Sequence, residues 1–478
     1  MDGLECSEIY LSQLTDSGRL DAEYFSKENI HIESRLSYLH SSTIGNIATV
    51  VASAFYPAAT QLYSSGDTPF IRCVDCISFP VITRSQEENF EKIPLSFALE
   101  QSGIHLLQKG DIVITKVGTP CFASVVDDYE TVALSRTVLG LKNINNDIKP
   151  YYLMAFLRSK YGFEQLMRQR ELTIQYQLTL DRVKSIRVYL ASGRLQADVS
   201  EVVKKSITFM KLANERYDAA EQLLLQKMKI SIPALTTNNI SVKPFSESFE
   251  KTGRLDAEYY QKKYDELLAS IKKVNYSRLI DLVDISKSIE PGREAYCDKG
   301  VPFIRISDFS KYGFTAPDKY LEPHGSYDLP ELYLKKDEIL FSKDGSIGIA
   351  YKVEQDTKAI TSGALLHLKI KNKSEILPDY LTAVLNSDVV QMQAERDAGG
   401  SIINHWKPSE IEEILIPILS VDKQQEISAK IVYSFDLRHK SEQLLEAAKQ
   451  AVEMAIEKNE ESAIEWLNDR MNEVTETS

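Results

Sequence analysis

Seven residues occur twice in this chain in the same order, Gly18-Arg19-Leu20-Asp21-Ala22-Glu23-Tyr24 and Gly253-Arg254-Leu255-Asp256-Ala257-Glu258-Tyr259, each followed by an aromatic, Phe25 or Tyr260. Identity across Arg, Asp, Glu and Tyr together is not an accident of composition. The period is close to half of the 478-residue chain. Solenoid repeats run to only about 20–50 residues, so this repeat marks a duplicated domain.

The remaining sequence falls into the same two-copy register. Each copy continues with a short helical segment and an apolar β-like run, over 44–51 in the first and 279–285 in the second. Pro69-Phe70-Ile71-Arg72 pairs with Pro302-Phe303-Ile304-Arg305, and Asp75 with Asp308. Pro followed by bulky residues predicts a strand entering a sheet. Lys109 to Lys116 then pairs with Lys336 to Lys343, reading turn, buried strand and Ser/Thr-Lys, with glycine turns after them at Gly118 and Gly345. A further strand is expected over 134–141 and 360–370, where Ser135 and Ser362 align. Pro150 and Pro378 each open an apolar helix. Both copies close, over 183–190 and 411–418, as a helical turn passing into an alternating strand.

A long polar helix follows each copy, with no Pro or Gly inside it. The first carries Val199, Val202, Val203, Ile207, Met210, Tyr217, Ala220, Leu224 and Met228; the second carries Ile427, Ile431, Phe435, Leu445, Ala448, Val452 and Ile456. Spacings of three, four and seven give each an apolar stripe. The stripes either bury each other as an antiparallel coiled coil or pack back on their own domains. The fold class read from this order is α+β: two tandem domains separated by two long antiparallel helices, with an internal pseudo-twofold repeat. The boundaries are 1–192 for the first domain, 193–230 for the central helix, 231–252 for a polar linker, 253–420 for the second domain and 421–458 for the second helix. An acidic tail over 459–478 is expected to extend that helix and then fray.

Composition removes several classes of function. No apolar run reaches the roughly 18 residues of a membrane span, and the acidic start lacks the apolar core of a secretory signal. No membrane partner is expected, and a cytoplasmic location is. Five cysteines in this length are not a disulfide framework. Cys73-x-x-Cys76 has Ile306 and Phe309 in its place in the second copy, so buried structural cysteines are expected. No His or Cys pair lies at ligand spacing with a partner pair elsewhere, so no metal is expected. The net charge of −13 argues against a nonspecific nucleic-acid coat, although the charge is uneven. Residues 149–194 hold nine Lys and Arg against three Asp and Glu, a net +6, while 457–478 hold seven acidic against two basic, a net −5. Gly-x-Gly-x-x-Gly, Gly-x-x-x-x-Gly-Lys-Ser/Thr and Asn/Asp-Pro-Pro-Phe/Tyr are all missing. Three classes remain: a noncatalytic DNA reader and scaffold, a methyltransferase or nuclease with its own recognition domains, and a coiled-coil interaction scaffold that binds no DNA.

The arrangement resembles the specificity subunit of type I restriction–modification systems, over nearly the whole chain and most clearly in the second copy. The resemblance is carried by Val301-Pro302-Phe303-Ile304-Arg305, by Asp337-Glu338-Ile339-Leu340-Phe341-Ser342-Lys343-Asp344-Gly345-Ser346-Ile347-Gly348, and by Gly400-Ser401-Ile402-Ile403-Asn404-His405. Ile414-Leu415-Ile416-Pro417 and Gln424-Gln425-Glu426-Ile427 add to it. It implies two target-recognition domains, each reading one half of a split site in double-stranded DNA, with the helices docking two methyltransferase subunits. It implies no catalytic residue and no cofactor in this chain: S-adenosylmethionine belongs to the methyltransferase partner, ATP and Mg to a motor-nuclease (restriction) subunit. The first copy departs from the pattern, with Gly118-Thr119-Pro120-Cys121 and Gln175-Tyr176-Gln177-Leu178-Thr179 at the corresponding places. Domains that read different half-sites are expected to differ there.

Base reading needs side chains with paired donors and acceptors. In the first copy Arg168, Arg170, Thr173, Gln175 and Gln177 supply them within the +6 segment; in the second Arg396, Ser401, Asn404, His405 and Lys407 are the counterpart. Lys116 and Lys343, beside glycine turns, are the expected phosphate contacts. Arg72, Ser135, Arg305 and Ser362 complete the expected DNA-contacting set. The competing reading is a solvated loop and an exposed lysine at a strand end.

Overall fold

In the computed structural model, the apolar run after Lys109-Gly110-Asp111 is a strand, Ile112–Thr115, with no exposed position. The described residues are 6–54, 57–118, 121–171, 177–233, 240–297, 299–315, 317–323, 329–399 and 404–476. The chain divides into two units, Met1–Leu212 with Leu437–Ser478, and Ala213–Asp436.

In the first unit Ile112–Thr115 is the middle of a five-stranded sheet, in the order Thr49–Ala52, Val138–Lys142, Ile112–Thr115, Ala123–Val126, Val81–Ile82. Successive side chains of a strand point to opposite faces. Ile112, Ile114, Leu139 and Leu141 enter one core with Tyr152, Leu153, Phe156 and Leu157 of helix Pro150–Arg158. Val113 and Val138 enter another, shared with Ile71, Leu107, Val132 and Leu134. Those residues belong to a second sheet in which Thr68–Ile71 runs parallel to Val132–Leu134. A Cβ on Gly140 would meet Leu134 Cδ1 at 2.8 Å and Leu107 Cδ2 at 2.9 Å, so a side chain there would have to displace both leucines where the two sheets press together.

The second unit repeats this plan. Ile339–Ser342 lies between Leu365–Ile370 and Ala350–Lys352, with Val283–Lys287 beyond, and Val301–Ile304 runs parallel to Ile360–Thr361 in the companion sheet. Ile339 and Phe341 face one core, Leu340 the other. In the place of Gly140 stands His367, buried, with Nε2 2.7 Å from Thr361 Oγ1 and Nδ1 3.1 Å from Glu338. The glycine and the histidine solve one packing problem with opposite means.

The long helices are Gly193–Met228 and Val421–Glu457, and each unit holds a stretch of both. Within the first unit Ser206 meets Ser441 (Oγ–Oγ 3.0 Å), and Ser192, at the start of the central helix, meets Glu460, just past the end of the other. Within the second unit Ser434 Oγ donates to Ala213 O (2.8 Å) and Lys227 pairs with Glu426 (3.1 Å). The run is antiparallel in both. The two alternatives read from the stripes are both realised: Leu195, Val199, Val202 and Val203 share one core with Leu444, Ala448 and Val452 and with the domain helix that carries Tyr152. Among the described residues no helix is long and apolar enough to cross a membrane.

Four expectations are corrected in detail. The β-like runs at 44–51 and 279–285 begin as helical turns, Ile44–Ile47 and Leu279–Leu282, before their strands. Their apolar residues are three apart, and the entering N–H groups donate to Ile186 O (2.9 Å) and Ile414 O (2.8 Å) rather than to a sheet. The strand expected over 134–141 is two strands in two sheets, Val132–Leu134 and Val138–Lys142, with a corner at Ser135. Ser362 makes the same corner between Ile360–Thr361 and Leu365–Ile370. Of the cysteine pair, Cys76 is buried, its thiol pushed up to about 12 by burial, but Cys73 is only half-buried.

The fourth correction concerns the tail. Glu460–Glu476 is a separate helix, restarted at Asn459, whose Oδ1 accepts from Ser462 N (2.8 Å). Its Ala463, Ile464, Leu467 and Val474 join the first unit's core, and Glu460 accepts from Tyr189 Oη (2.6 Å) and Ser192 N (2.9 Å). The net charge of the segment hides this stripe. Leu467 is fully buried there, so Leu467→Ala is expected to cost about 2–5 kcal/mol of stability, read as a lower urea midpoint of the first unit. An unchanged midpoint would return the segment to a solvated tail.

Candidate nucleic-acid interface

Each buried central strand ends in a lysine, and the backbone of that lysine ties three segments together. In the first unit Lys116 N donates to Thr137 O (2.8 Å), and Lys116 O accepts from Leu178 N (3.0 Å). Val117 then bridges Gln177, which also bridges Glu171, with Glu171 N donating to Gln177 O (3.0 Å). In the second unit Lys343 N donates to Ala364 O (2.9 Å), and Lys343 O accepts from Trp406 N (2.8 Å). Asp344 bridges His405, and His405 exchanges backbone bonds with Gly399 (2.7 and 3.1 Å). Gly345, at φ 70°, supplies the left-handed turn after the strand, and its N–H donates to Asn404 O (2.9 Å). The two units thus bring a strand end and a distant loop to one corner by the same backbone bonds.

The side chains at the two corners differ. Beside Lys116 stands Val117; beside Lys343 stands Asp344, which is paired with Lys343 and also receives His405 Nδ1 (2.7 Å). Burial pushes the Asp344 carboxyl up, but hydrogen bonds from Lys343 and His405 outweigh it and hold the group below the usual carboxylate range. Asn404, His405 and Lys407 are exposed, while Lys116 and Gln177 are half-buried. Lys407 also reaches Glu410 (3.3 Å). Behind the second corner Trp406 is fully buried against Phe341, and its indole N–H has no partner among the described residues.

Thus Lys116 and Gln177 lie together in the first unit, and Lys343, Asn404, His405 and Lys407 in the second. Thr173, Gln175 and Ser401 lie outside the described residues. The other candidates are held by the fold. Arg72 and Arg305 each start a short helical turn, their backbone N–H groups bonded to Asp75 (2.7 Å) and Asp308 (2.9 Å) and their guanidinium groups turned to the same carboxylates. Arg72 also pairs with Glu91 and Arg305 with Asp318. Ser135 and Ser362 are buried at the sheet corners, donating backbone N–H groups to Ile71 O (3.0 Å) and Ile304 O (2.9 Å). Arg168 is nearly buried, bonded to Tyr24 O (2.7 Å) and Glu33 (2.8 Å). Arg170 Nε donates to Met167 O (2.9 Å). Sequence reasoning missed Asp344 as a member of the site. The signal was its place next to Lys343 in a stretch whose counterpart in the first copy is Val117.

Comparison with known proteins gives one family. Residues 271–449 match the model of the type I restriction modification DNA specificity domain. Among solved structures the chain is similar to the S subunit of a type I restriction–modification system from M. genitalium, at 11% identity over 89% of this chain and 95% of that one, with a TM-score of 0.34. It is also similar to the HsdS subunit from Thermoanaerobacter tengcongensis, at 14% identity over 90% and 96% of the two chains, with a TM-score of 0.28. No curated protein matches it.

One acidic group behind the second corner titrates in an accessible range. Burial pushes the Asp397 carboxyl up to about 6; Arg396, 3.7 Å away, and Arg254 pull it down, and Glu410 pushes it up. An acid whose folded pKa lies above its unfolded value of about 3.9 contributes stability that is present below the unfolded value and lost as pH rises through the folded one. Wild type should therefore gain stability from this group as pH falls from about 7 to about 4. Asp397→Asn is expected to unfold at higher urea than wild type near pH 7.5, the difference shrinking near pH 5. Parallel urea midpoints at both pH values would contradict the assignment.

Proposed function

We propose that this chain is the noncatalytic DNA-reading and scaffolding subunit of a type I restriction–modification complex. Each unit reads one half of a split site in double-stranded DNA, and the long helices dock two methyltransferase subunits. S-adenosylmethionine is then bound by the methyltransferase partner, and ATP and Mg by a motor-nuclease subunit; this chain acts with them in the cytoplasm.

The observation that carries this reading is the repeated corner with unlike tips. A bipartite reader needs the same frame twice, to present side chains to a groove at a fixed angle, and different side chains on each frame, to choose different bases. Lys116 with Val117 and Gln177, against Lys343 with Asp344 and His405, meets that requirement. The specificity-domain match over 271–449 supports DNA sequence recognition independently. The test is the methylome of a strain that carries the gene, before and after deletion. Loss of methylation at one two-part motif is expected, and an unchanged methylome overturns the proposal.

Within it, Lys116 and Lys343 are phosphate contacts. Lys116→Ala and Lys343→Ala are each expected to weaken binding of all duplexes alike and to reduce the salt slope by about one. The loss should be smaller for Lys343→Ala, because Lys343 already shares its charge with Asp344. Fluorescence anisotropy across a salt series checks both, and a changed base preference at unchanged affinity contradicts the role.

A further inference from the structure

The repeated seven-residue motif makes the same construction in both units. Gly18 (φ 63°) and Gly253 (φ 69°) end short helices in the left-handed conformation. The following arginine folds back on the motif's own aspartate: Arg19 Nε lies 2.5 Å from Asp21, and Arg254 Nη2 lies 2.6 Å from Asp256. These bonds hold the Asp21 and Asp256 carboxyls below the usual range. The remaining edge of each guanidinium reaches far along the chain. Arg19 Nη1 donates to Arg170 O (3.2 Å), and Arg254 Nη1 donates to Asp397 O (2.6 Å).

The motif's tyrosine carries a second tie to the same place. Tyr24 lies within 5.0 Å of the Arg19 guanidinium and 4.0 Å of that of Arg168. Tyr259 lies 4.4 Å from Arg254 and 4.3 Å from Arg396, whose Nη2 also donates to Tyr259 Oη (2.8 Å). Arg168 and Arg396 are in the last turns of helices Lys160–Arg168 and Asp388–Asp397. The tied carbonyls of Arg170 and Asp397 fall one and two residues before Glu171 and Gly399, whose bridges hold Gln177 and His405. A line of contacts therefore runs from the motif to the backbone that holds each tip.

We propose that Arg19 and Arg254 are positioning residues for DNA reading: each motif clamps the backbone from which its unit's tip, Gln177 or His405, is presented. The proposal rests on the reading of the two corners as DNA interfaces. It accounts for a pairing otherwise without a reason, seven identical residues behind tips that differ, Gln177 against His405. An Arg suits the task because its planar fork offers one edge to a carboxylate and another to a carbonyl, whereas a lysine's donors all radiate from one nitrogen.

The test uses the full chain and a pool of randomised duplexes, sequencing what is bound. Wild type is expected to select a two-part motif. Arg254→Ala should lose roughly tenfold or more of its discrimination in one half-site, as expected when a base contact is misplaced, and keep the other; Arg19→Ala should do the reverse. Leu282→Ala, a fully packed residue of the second unit's core away from the motif, serves as the stability control and should leave both half-sites intact. Amide exchange gives a readout free of DNA: the His405 N–H, bonded to Gly399 O, should exchange faster in Arg254→Ala while the Ile339–Ser342 strand keeps its protection. Full discrimination in Arg254→Ala, or the same half-site eroded by Leu282→Ala, overturns the clamp. If wild type selects no motif, the DNA reading falls instead, and the exchange of His405 alone decides the clamp: faster exchange upholds it, unchanged exchange overturns it.

Discussion

A strand with no solvent on either face must have every backbone polar group paired within the protein, because an unpaired buried N–H or C=O costs as much as a lost hydrogen bond. Ile112–Thr115 and Ile339–Ser342 are in that position. The demand continues one residue past each strand, to Lys116 and Lys343, whose N–H and C=O groups are both taken by segments remote in sequence. The sheet corner at 137 or 364 and the loop return at 178 or 406 are thereby drawn to one point. The lysine side chain leaves the core there, and the tip forms there. Because backbone bonds make the corner, the side chains around it are released from structural duty and can differ between the units.

That freedom appears in the charge of the two corners. Lys116 is half-buried beside an apolar neighbour, Val117, where the other unit has an acid. Lys343 shares its charge with Asp344, which also holds His405. Near the DNA backbone a free cation releases counterions and gives affinity without choosing sequence. A cation tied to an acid gives less of that, while the acid and its histidine stand in a fixed relation, which is what base reading requires. On the proposed reading the two units divide affinity and selectivity differently, although they are built on one frame.

The frame was legible from the residues. The lysine-ended buried strands, the proline-opened helices and the two striped helices all stand where the patterns predicted. What could not be read was where a run of apolar residues changes its use. Residues 44–51 are mostly apolar, and only a hydrogen bond from Ile44 to the remote Ile186 decides that the run starts as a turn. Ser135 looks like a strand residue because apolar runs lie on either side of Ser135-Arg136-Thr137; it is a corner because the parallel neighbour of its strand ends at Ile71. The terminal helix was obscured by its acidic face, although Ala463, Ile464 and Leu467 already sat at helical spacing.

The candidate site was less legible than the frame, and the arginines make the reason concrete. An arginine offers the same donors whether it reads a base or braces a loop, so residue type alone cannot sort them. Arg72 and Arg305 could have been set aside from sequence, since each has an aspartate three residues on, in both copies, and a carboxylate at that distance closes a turn onto the arginine's own backbone. Arg168 and Arg396 carry no such local sign. Their partners, Tyr24 with Glu33 and Tyr259, lie well over a hundred residues earlier in the chain. Only the fold reveals that their donors are already engaged. On the proposed reading, the groups left to face a groove are those that the corner's backbone places: Lys116 and Gln177 in one unit, and in the other Asn404 with Lys343, His405 and Lys407, whose side-chain partners Asp344 and Glu410 lie beside them. A recognition surface in this fold is found by first removing every polar side chain that the packing has already used.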